Sequence, residues 1–281
     1  MEWKLGFIGA GVMAEVMIAG ILEEGILAPT QILTSNRRPE RAASLHDRYG
    51  VQTCLDNRQV AQEVDVLVLS VKPQNLAEVI QEISGLVASK TQVLSVVAGA
   101  GMTVIRDGLA HAKVARCMPN LPCRIRKGMT VWAAPDDADD ADIERIRTIL
   151  RVMGEEIRVE DEGHVDRATA VNGTGPAIVA QFVKAMLEAA TFIGESRGVA
   201  QETVLSTLVG TAEMIRAAAK DGTHVAQLID EVTSPGGTTS RALQVLKQGH
   251  FSAVLTEAVD AAYQRTLTLG SNLDERLREK Q

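Results

Sequence analysis

Leu5-Gly6-Phe7-Ile8-Gly9-Ala10-Gly11-Val12-Met13-Ala14 is the stretch on which the fold turns. An apolar run leads into a Gly-x-Gly-x-x-Ala element, and a helix-like segment follows it. In that setting Gly9 permits a tight strand-to-helix turn, Gly11 lets backbone approach a pyrophosphate, and the small Ala14 lets helix and strand pack closely. The helix N-terminus then offers unpaired N–H groups to the phosphates. Gly9, Gly11, Val12 and Met13 are therefore candidate dinucleotide contacts. A glycine turn without a ligand is the competing reading.

Working outward, short apolar runs at 31–35, 65–71, 92–97 and 113–118 alternate with helix-like segments, the pattern of βαβ units around a parallel sheet. They show little alternation, as expected of strands covered on both faces. Residues 129–133 and 156–159 read as two further strands, bracketing a helix near 139–153 whose early carboxylates suit a helix N-terminus. After Asp161 the strand signal stops. Helices are expected near 164–172, 176–197, 201–220, 224–232, 239–248 and 251–275, with Gly198 and Gly222 as helix ends and Pro176 as a helix start. The predicted fold is α/β: an N-terminal Rossmann-type parallel sheet, residues 1–161, followed by an all-α dimerisation domain, residues 162–281. The Ala-rich helices are too apolar for a small free-standing bundle, so part of their surface is expected to meet a second subunit.

Composition agrees with two domains. Of 281 residues, 46% are hydrophobic but only 3% aromatic, so the core must rest on Ala, Val, Leu, Ile and nine Met. A formal charge of −7 gives no support to nucleic-acid or anionic-membrane partners and points to small molecules. Cys54, Cys117 and Cys123 have neither disulfide-framework nor zinc spacing, and the five His show no metal pattern. The acidic run at 136–142 lacks the glycine of a calcium loop, so no metal is expected. Residues 1–9 lack a signal-peptide pattern and no membrane span is evident, so a reducing cytoplasm is the expected location.

The second strand ends in Thr34-Ser35-Asn36-Arg37-Arg38, without the acidic residue that binds an NAD ribose. A hydroxyl, an amide and two guanidinium groups suit the 2′-phosphate of NADP. Ser35, Asn36, Arg37 and Arg38 are the candidates; a solvated helix flank is the alternative, though basic residues there oppose the helix dipole.

Four further segments extend the reading: Ser70-Val71-Lys72-Pro73-Gln74, Arg116-Cys117-Met118-Pro119-Asn120, Gly173-Thr174-Gly175-Pro176-Ala177, and Asp230-Glu231-Val232-Thr233-Ser234-Pro235-Gly236-Gly237-Thr238-Thr239. A Ser-Pro-Gly-Gly-Thr-Thr loop feeding a helix presents hydroxyls and unhindered N–H groups that suit a carboxylate; a Pro-Gly turn with an N-cap is equally consistent with it. In order and spacing these segments resemble the pyrroline-5-carboxylate reductase family across almost the whole chain. The resemblance implies hydride transfer from NADPH to the C=N carbon of 1-pyrroline-5-carboxylate, giving L-proline, the last step of proline biosynthesis. It also implies a homodimer, or a higher oligomer of dimers, with no metal.

By the same resemblance, Ser234, Gly237, Thr238 and Thr239 hold the substrate carboxylate. Asn57, Val71, Lys72, Pro73, Ala98, Gly99, Pro119 and Asn120 face the cofactor. Lys72 is expected to act mainly through backbone, with proton donation as its other open role. Thr169 matches a hydroxyl that donates to the imine nitrogen, and Thr239 is paired with it as a catalytic candidate; a helix hydroxyl bonded to its own backbone is the other reading of Thr169. The chain departs from the family pattern at Leu121, Cys123, Asn172, Thr174 and Ile178. Those departures leave open a reductase of a different cyclic imine acid. A catalytically silent NADPH-binding regulator is a further alternative. A β-hydroxyacid dehydrogenase is disfavoured, because Lys184 is followed by Ala185-Met186-Leu187-Glu188 without the expected Asn pair.

Overall fold

Runs of Val, Leu and Ile without alternation become strands with both faces covered. The computed structural model describes residues 3–278. Met1, Glu2 and 279–281, which the expected domain limits include, lie outside the described residues. The strands are β1 (Leu5–Ile8), β2 (Ile32–Ser35), β3 (Gln52–Cys54), β4 (Val66–Leu69), β5 (Gln92–Ser95), β6 (Val114–Met118), β7 (Gly128–Ala133) and β8 (Gly154–Arg158), in one sheet ordered β3-β2-β1-β4-β5-β6-β7-β8. Every residue of β1, β2, β4, β5 and β6 is buried. Pairing is parallel except between β6 and β7, where a short 3-10 turn over Leu121–Ile125 reverses the chain. The parallel expectation therefore fails at that one junction. The polar three-residue β3 went unread in the sequence because it is an edge strand with little apolar content.

The chain winds from β1 out to β3 and returns to β4 on the other side of β1. That reversal leaves a crevice at the carboxyl ends of β1 and β4, the usual ligand position in such sheets. Helices α1 (Val12–Glu23), α2 (Pro39–Tyr49), α3 (Asn57–Glu63), α4 (Pro73–Ile83), α5 (Met102–Leu109) and α6 (Asp140–Arg151) cover the two faces. One apolar cluster joins α1 and α6 through Met17, Ile18, Ile146 and Ile149; another joins α4 and α5 through Leu76, Ile80 and Ile105.

From α7 (Gly163–Ala168) the chain passes through a π-turn, Thr169–Gly173, into α8 (Gly175–Phe192). The helix expected at 164–172 is thus a short α-helix ending in a bulge. Then follow α9 (Arg197–Lys220), α10 (Val225–Glu231), α11 (Thr238–Gln248) and α12 (Phe251–Arg278). Gly198, read as a helix end, instead lies in the first turn of α9, because Ser196 caps that helix by accepting from Val199 N–H. Gly222 does follow the end of α9.

Two compact units result: residues up to Pro176 together with those from Ala261 onward, and residues Ala177–Asp260. In the first, Leu273 and Leu277 of α12 join the α4–α5 cluster. In the second, among the described residues, only Ala200 and Val204 are buried apolar side chains. Phe192, 91% exposed, with Ile193, Val209, Val245 and Val254, leaves a large apolar surface uncovered. A helical unit with so small a core is not self-sufficient. Among the described residues no helix is long and apolar enough to cross a membrane.

One buried histidine sets a pH dependence. His111 Nε2 lies 2.6 Å from the Thr91 carbonyl oxygen, and burial, helped by the Lys113 charge, pushes its pKa below the ordinary value. The unfolded chain takes up that proton near pH 6.5 while the folded chain resists it, so stability falls as pH drops below about 6.5. His111→Gln keeps a donor for Thr91 and is expected to shrink the fall in Tm between about pH 7.5 and about pH 5. An unchanged fall in that variant would rule His111 out as the source.

Candidate functional site

The turn after β1 builds one wall of a cleft. Gly9 has φ +84°, and a Cβ there would lie 2.6 Å from Val71 Cγ1 and 3.0 Å from the Ser70 carbonyl oxygen, so only glycine fits. Gly11, the residue before α1, has nothing within 4 Å of a Cβ position. It faces open space rather than protein, as close approach of a ligand to backbone requires. The cleft, about 590 Å³, is lined by Gly9, Gly11, Val12, Ser35, Asn36, Arg37, Arg38, Asn57, Val71 and Lys72 among others. Ten of the sixteen cofactor candidates thus share one cavity at the carboxyl ends of β1, β2 and β4.

The other six lie outside it. Met13 is half-buried on α1 and packs against the core beneath. Pro73 is the first residue of α4. Ala98 and Gly99 follow β5, and Pro119 and Asn120 follow β6, farther along the same edge of the sheet. A Cβ on Gly99 would lie 2.9 Å from the Gly270 backbone nitrogen of α12, so helix packing itself demands that glycine. Asn120 spends its side chain on protein: Nδ2 donates to Asn172 Oδ1 at 2.7 Å and Oδ1 accepts from Met129 N–H at 3.0 Å. Asn172, one of the departures from the family pattern, also donates to the Met129 carbonyl at 2.9 Å. The pair ties the π-turn to the β6–β7 junction.

Electrostatics at the cleft are set by arginines. Ser35 is buried, and its hydroxyl donates to Asn57 Oδ1 at 2.6 Å, while Asn57 Nδ2 donates to Glu82 Oε2 at 2.7 Å. The Ser35 hydroxyl therefore orients Asn57. Arg37 and Arg38 are exposed at the rim. Arg41, which the sequence reading missed, also lines the cleft: its Nε donates to the Ala10 carbonyl at 2.9 Å, and it forms an ion pair with Glu15. No local signal marks it in the sequence, because the partners that place it lie 26 and 31 positions away. Burial pushes the Glu15 carboxyl up, but the Arg41 hydrogen bond and charge, with Tyr49 and Arg48, outweigh it and hold the pKa below the usual value. The Glu15 carboxylate thereby fastens α2 to the glycine turn.

Beyond the cleft, Arg116 of β6 is 1% exposed and reaches Glu162 at 3.1 Å and Asp166 at 2.5 Å. Glu162 Oε1 also accepts Met102 N–H at 2.7 Å, at the start of α5. Arg116 so anchors α7 and the π-turn behind it. Thr169 opens that turn, and its hydroxyl donates to the Val165 carbonyl at 2.8 Å. Cys117 and Cys123 are buried, and burial pushes both thiols up, so neither offers a thiolate.

In the helical unit, Ser234 and Thr238 are exposed while Gly237 and Thr239 are half-buried. Gly237 donates its N–H to the Ser234 carbonyl at 3.0 Å and stands as the N-cap of α11. With no side chain there to cap them, the first N–H groups of α11 remain available to an anion, beside the hydroxyls of Thr238 and Thr239.

A model described as pyrroline-5-carboxylate reductase dimerisation matches residues 162–269, and one described as NADP oxidoreductase coenzyme F420-dependent matches residues 4–99. The pyrroline-5-carboxylate reductase of Synechocystis sp. is 36% identical over 96% of this chain and 99% of its own length; that of Escherichia coli is 32% identical over 97% and 100%. Among solved structures, the pyrroline-5-carboxylate reductase from Coxiella burnetii superposes with TM-score 0.84 at 32% identity, covering 96% of this chain and 99% of that one. The Plasmodium falciparum enzyme, solved with NADP bound, superposes with TM-score 0.85 at 26% identity, covering 96% and 98%. Sheet order, glycine turn and these matches define a Rossmann-type NAD(P)-dependent oxidoreductase with a helical second part. The chain belongs to the pyrroline-5-carboxylate reductase family.

Proposed function

We propose that this chain reduces 1-pyrroline-5-carboxylate to L-proline with NADPH, as a homodimer. Family membership over nearly the full length is the observation that carries this reading. The cleft suits the cofactor on its own chemistry: an uncrowded Gly11 at a helix N-terminus for the pyrophosphate, and Arg37 and Arg38 in place of an acid for the 2′-phosphate. NADPH, when bound, supplies the hydride. The task left to the protein is orientation, since an iminium carbon is already a good hydride acceptor.

In this proposal Gly9, Gly11, Val12 and Met13 hold the pyrophosphate turn, and Ser35 positions Asn57 for the ribose. Val71, Lys72, Pro73, Ala98, Gly99, Pro119 and Asn120 form the edge along which the rest of the cofactor lies. Ser234, Gly237, Thr238 and Thr239 hold the substrate carboxylate through hydroxyls and backbone N–H groups. Thr169 presents oxygen lone pairs while its proton is spent on Val165, so donation to the imine nitrogen requires rotation of its side chain. The uncovered apolar surface of the helical unit supports a second subunit as its partner.

The test is NADPH oxidation with 1-pyrroline-5-carboxylate by wild type and Thr239→Val. Losing one charge-assisted hydrogen bond of about 1.5–2 kcal/mol lowers kcat/KM roughly 10- to 30-fold. No turnover by wild type sinks the substrate assignment, and an unaffected variant sinks the role of Thr239. Reduction of a different cyclic imine acid is the second reading, favoured by Leu121, which leaves an apolar side chain 55% exposed after β6. Side-by-side turnover of five- and six-membered imine acids separates the two.

A further inference from the structure

The rim of the cleft carries charge of both signs. Arg37 follows β2, and its Nη2 donates to Glu78 Oε2 at 2.6 Å, across from β2 on α4. One helical turn beyond Glu78, Glu82 accepts from Asn57 Nδ2, which fixes the way that amide faces. The two carboxylates therefore act differently. Glu82 orients a neutral side chain, whereas Glu78 neutralises the guanidinium that the proposed function assigns to the 2′-phosphate.

We propose that Glu78 is a specificity-determining residue: it occupies Arg37 as a stand-in anion and thereby limits how strongly the cleft prefers a nucleotide bearing a 2′-phosphate. The inference rests on the assignment of Arg37 to that phosphate. A phosphate entering the rim must displace Glu78 from Arg37 and then remain beside its negative charge. A dinucleotide lacking the phosphate leaves the ion pair intact and loses nothing. Glu78 thus opposes NADPH and is indifferent to NADH.

The size of the effect follows from exposure. The side chains of Arg37 and Glu78 are 56% and 66% exposed, so their attraction is modest and is screened by salt. Replacing Glu78 should also cost the fold little, because its side chain packs into no core.

The experiment is fluorescence titration of NADPH and of NADH into wild type, Glu78→Gln, Arg37→Gln and the double variant at low ionic strength. Glu78→Gln is expected to lower the Kd for NADPH roughly three- to tenfold and to leave NADH within about twofold, with the gain shrinking as salt is added. In the Arg37→Gln background the same replacement is expected to gain less than about twofold, because the contested cation is gone. An unchanged NADPH Kd in Glu78→Gln, or equal tightening of both nucleotides, overturns the part given to Glu78. So does a full gain that persists without Arg37. Equal weakening of NADPH and NADH by Arg37→Gln instead overturns the phosphate assignment, and this inference falls with it.

Discussion

Gly11→Ala is expected to leave Tm within about 2 °C of wild type while weakening NADPH at least about a hundredfold. Gly11 has φ −79° and ψ −163°, backbone that alanine adopts freely, and no atom lies within 4 Å of the added methyl. The methyl therefore projects into the cleft, where the proposed function brings the pyrophosphate against backbone. Losing two charge-assisted bonds of about 1.5–3 kcal/mol each accounts for the expected effect. Gly9→Ala is the control: there φ is +84° and the methyl meets Val71 at 2.6 Å, so the turn itself deforms. A positive φ alone costs about 1–2 kcal/mol, so Gly9→Ala should lower Tm as well as binding. Thermal melts with NADPH titration check both. Tight NADPH binding by Gly11→Ala would show that the phosphates lie elsewhere.

Arg116→Leu is expected to destabilise the protein by roughly 3 kcal/mol, at the lower end for breaking a buried ion pair because both carboxylates keep some solvent. Arg116 bridges Glu162 and Asp166, so its removal leaves two negative charges beside each other with no cation between them. Asp166→Asn in addition should recover part of the loss, since it removes one of the stranded charges. Urea unfolding of the three proteins at neutral pH measures this; a loss below about 1 kcal/mol in Arg116→Leu would mean the cluster does not hold α7 in place.

How far the chain could be read in advance depended on whether a feature was local. Gly9 to Ala14, preceded by an apolar run, marked the turn because strand, glycine spacing and helix are all consecutive in sequence. The inner strands were legible for the same reason. β3 was not, since three edge residues carry no apolar signature, and the reversal between β6 and β7 depends on a five-residue 3-10 turn that composition does not reveal. At the site, Arg37 and Arg38 stood out beside a missing acid. Arg41, Glu78 and Glu82 did not, because what matters about them is contact across 25 to 41 positions: Arg41 with Glu15 and Ala10, Glu78 with Arg37, Glu82 with Asn57. Gly99 reads as a cofactor contact in the sequence; that Gly270 also presses against it is a packing constraint visible only in the fold.

Leu273, Leu277 and Gly270 have a consequence for biogenesis. A ribosome delivers the strands early, and β1, β2 and β4 can pair as soon as they emerge. The part of the α4–α5 cluster that those α12 residues seal stays open to water until synthesis is nearly complete, so the half made first is finished last. A nascent chain stalled before residue 261 would present an unsealed apolar patch to chaperones, however well its glycine turn had formed.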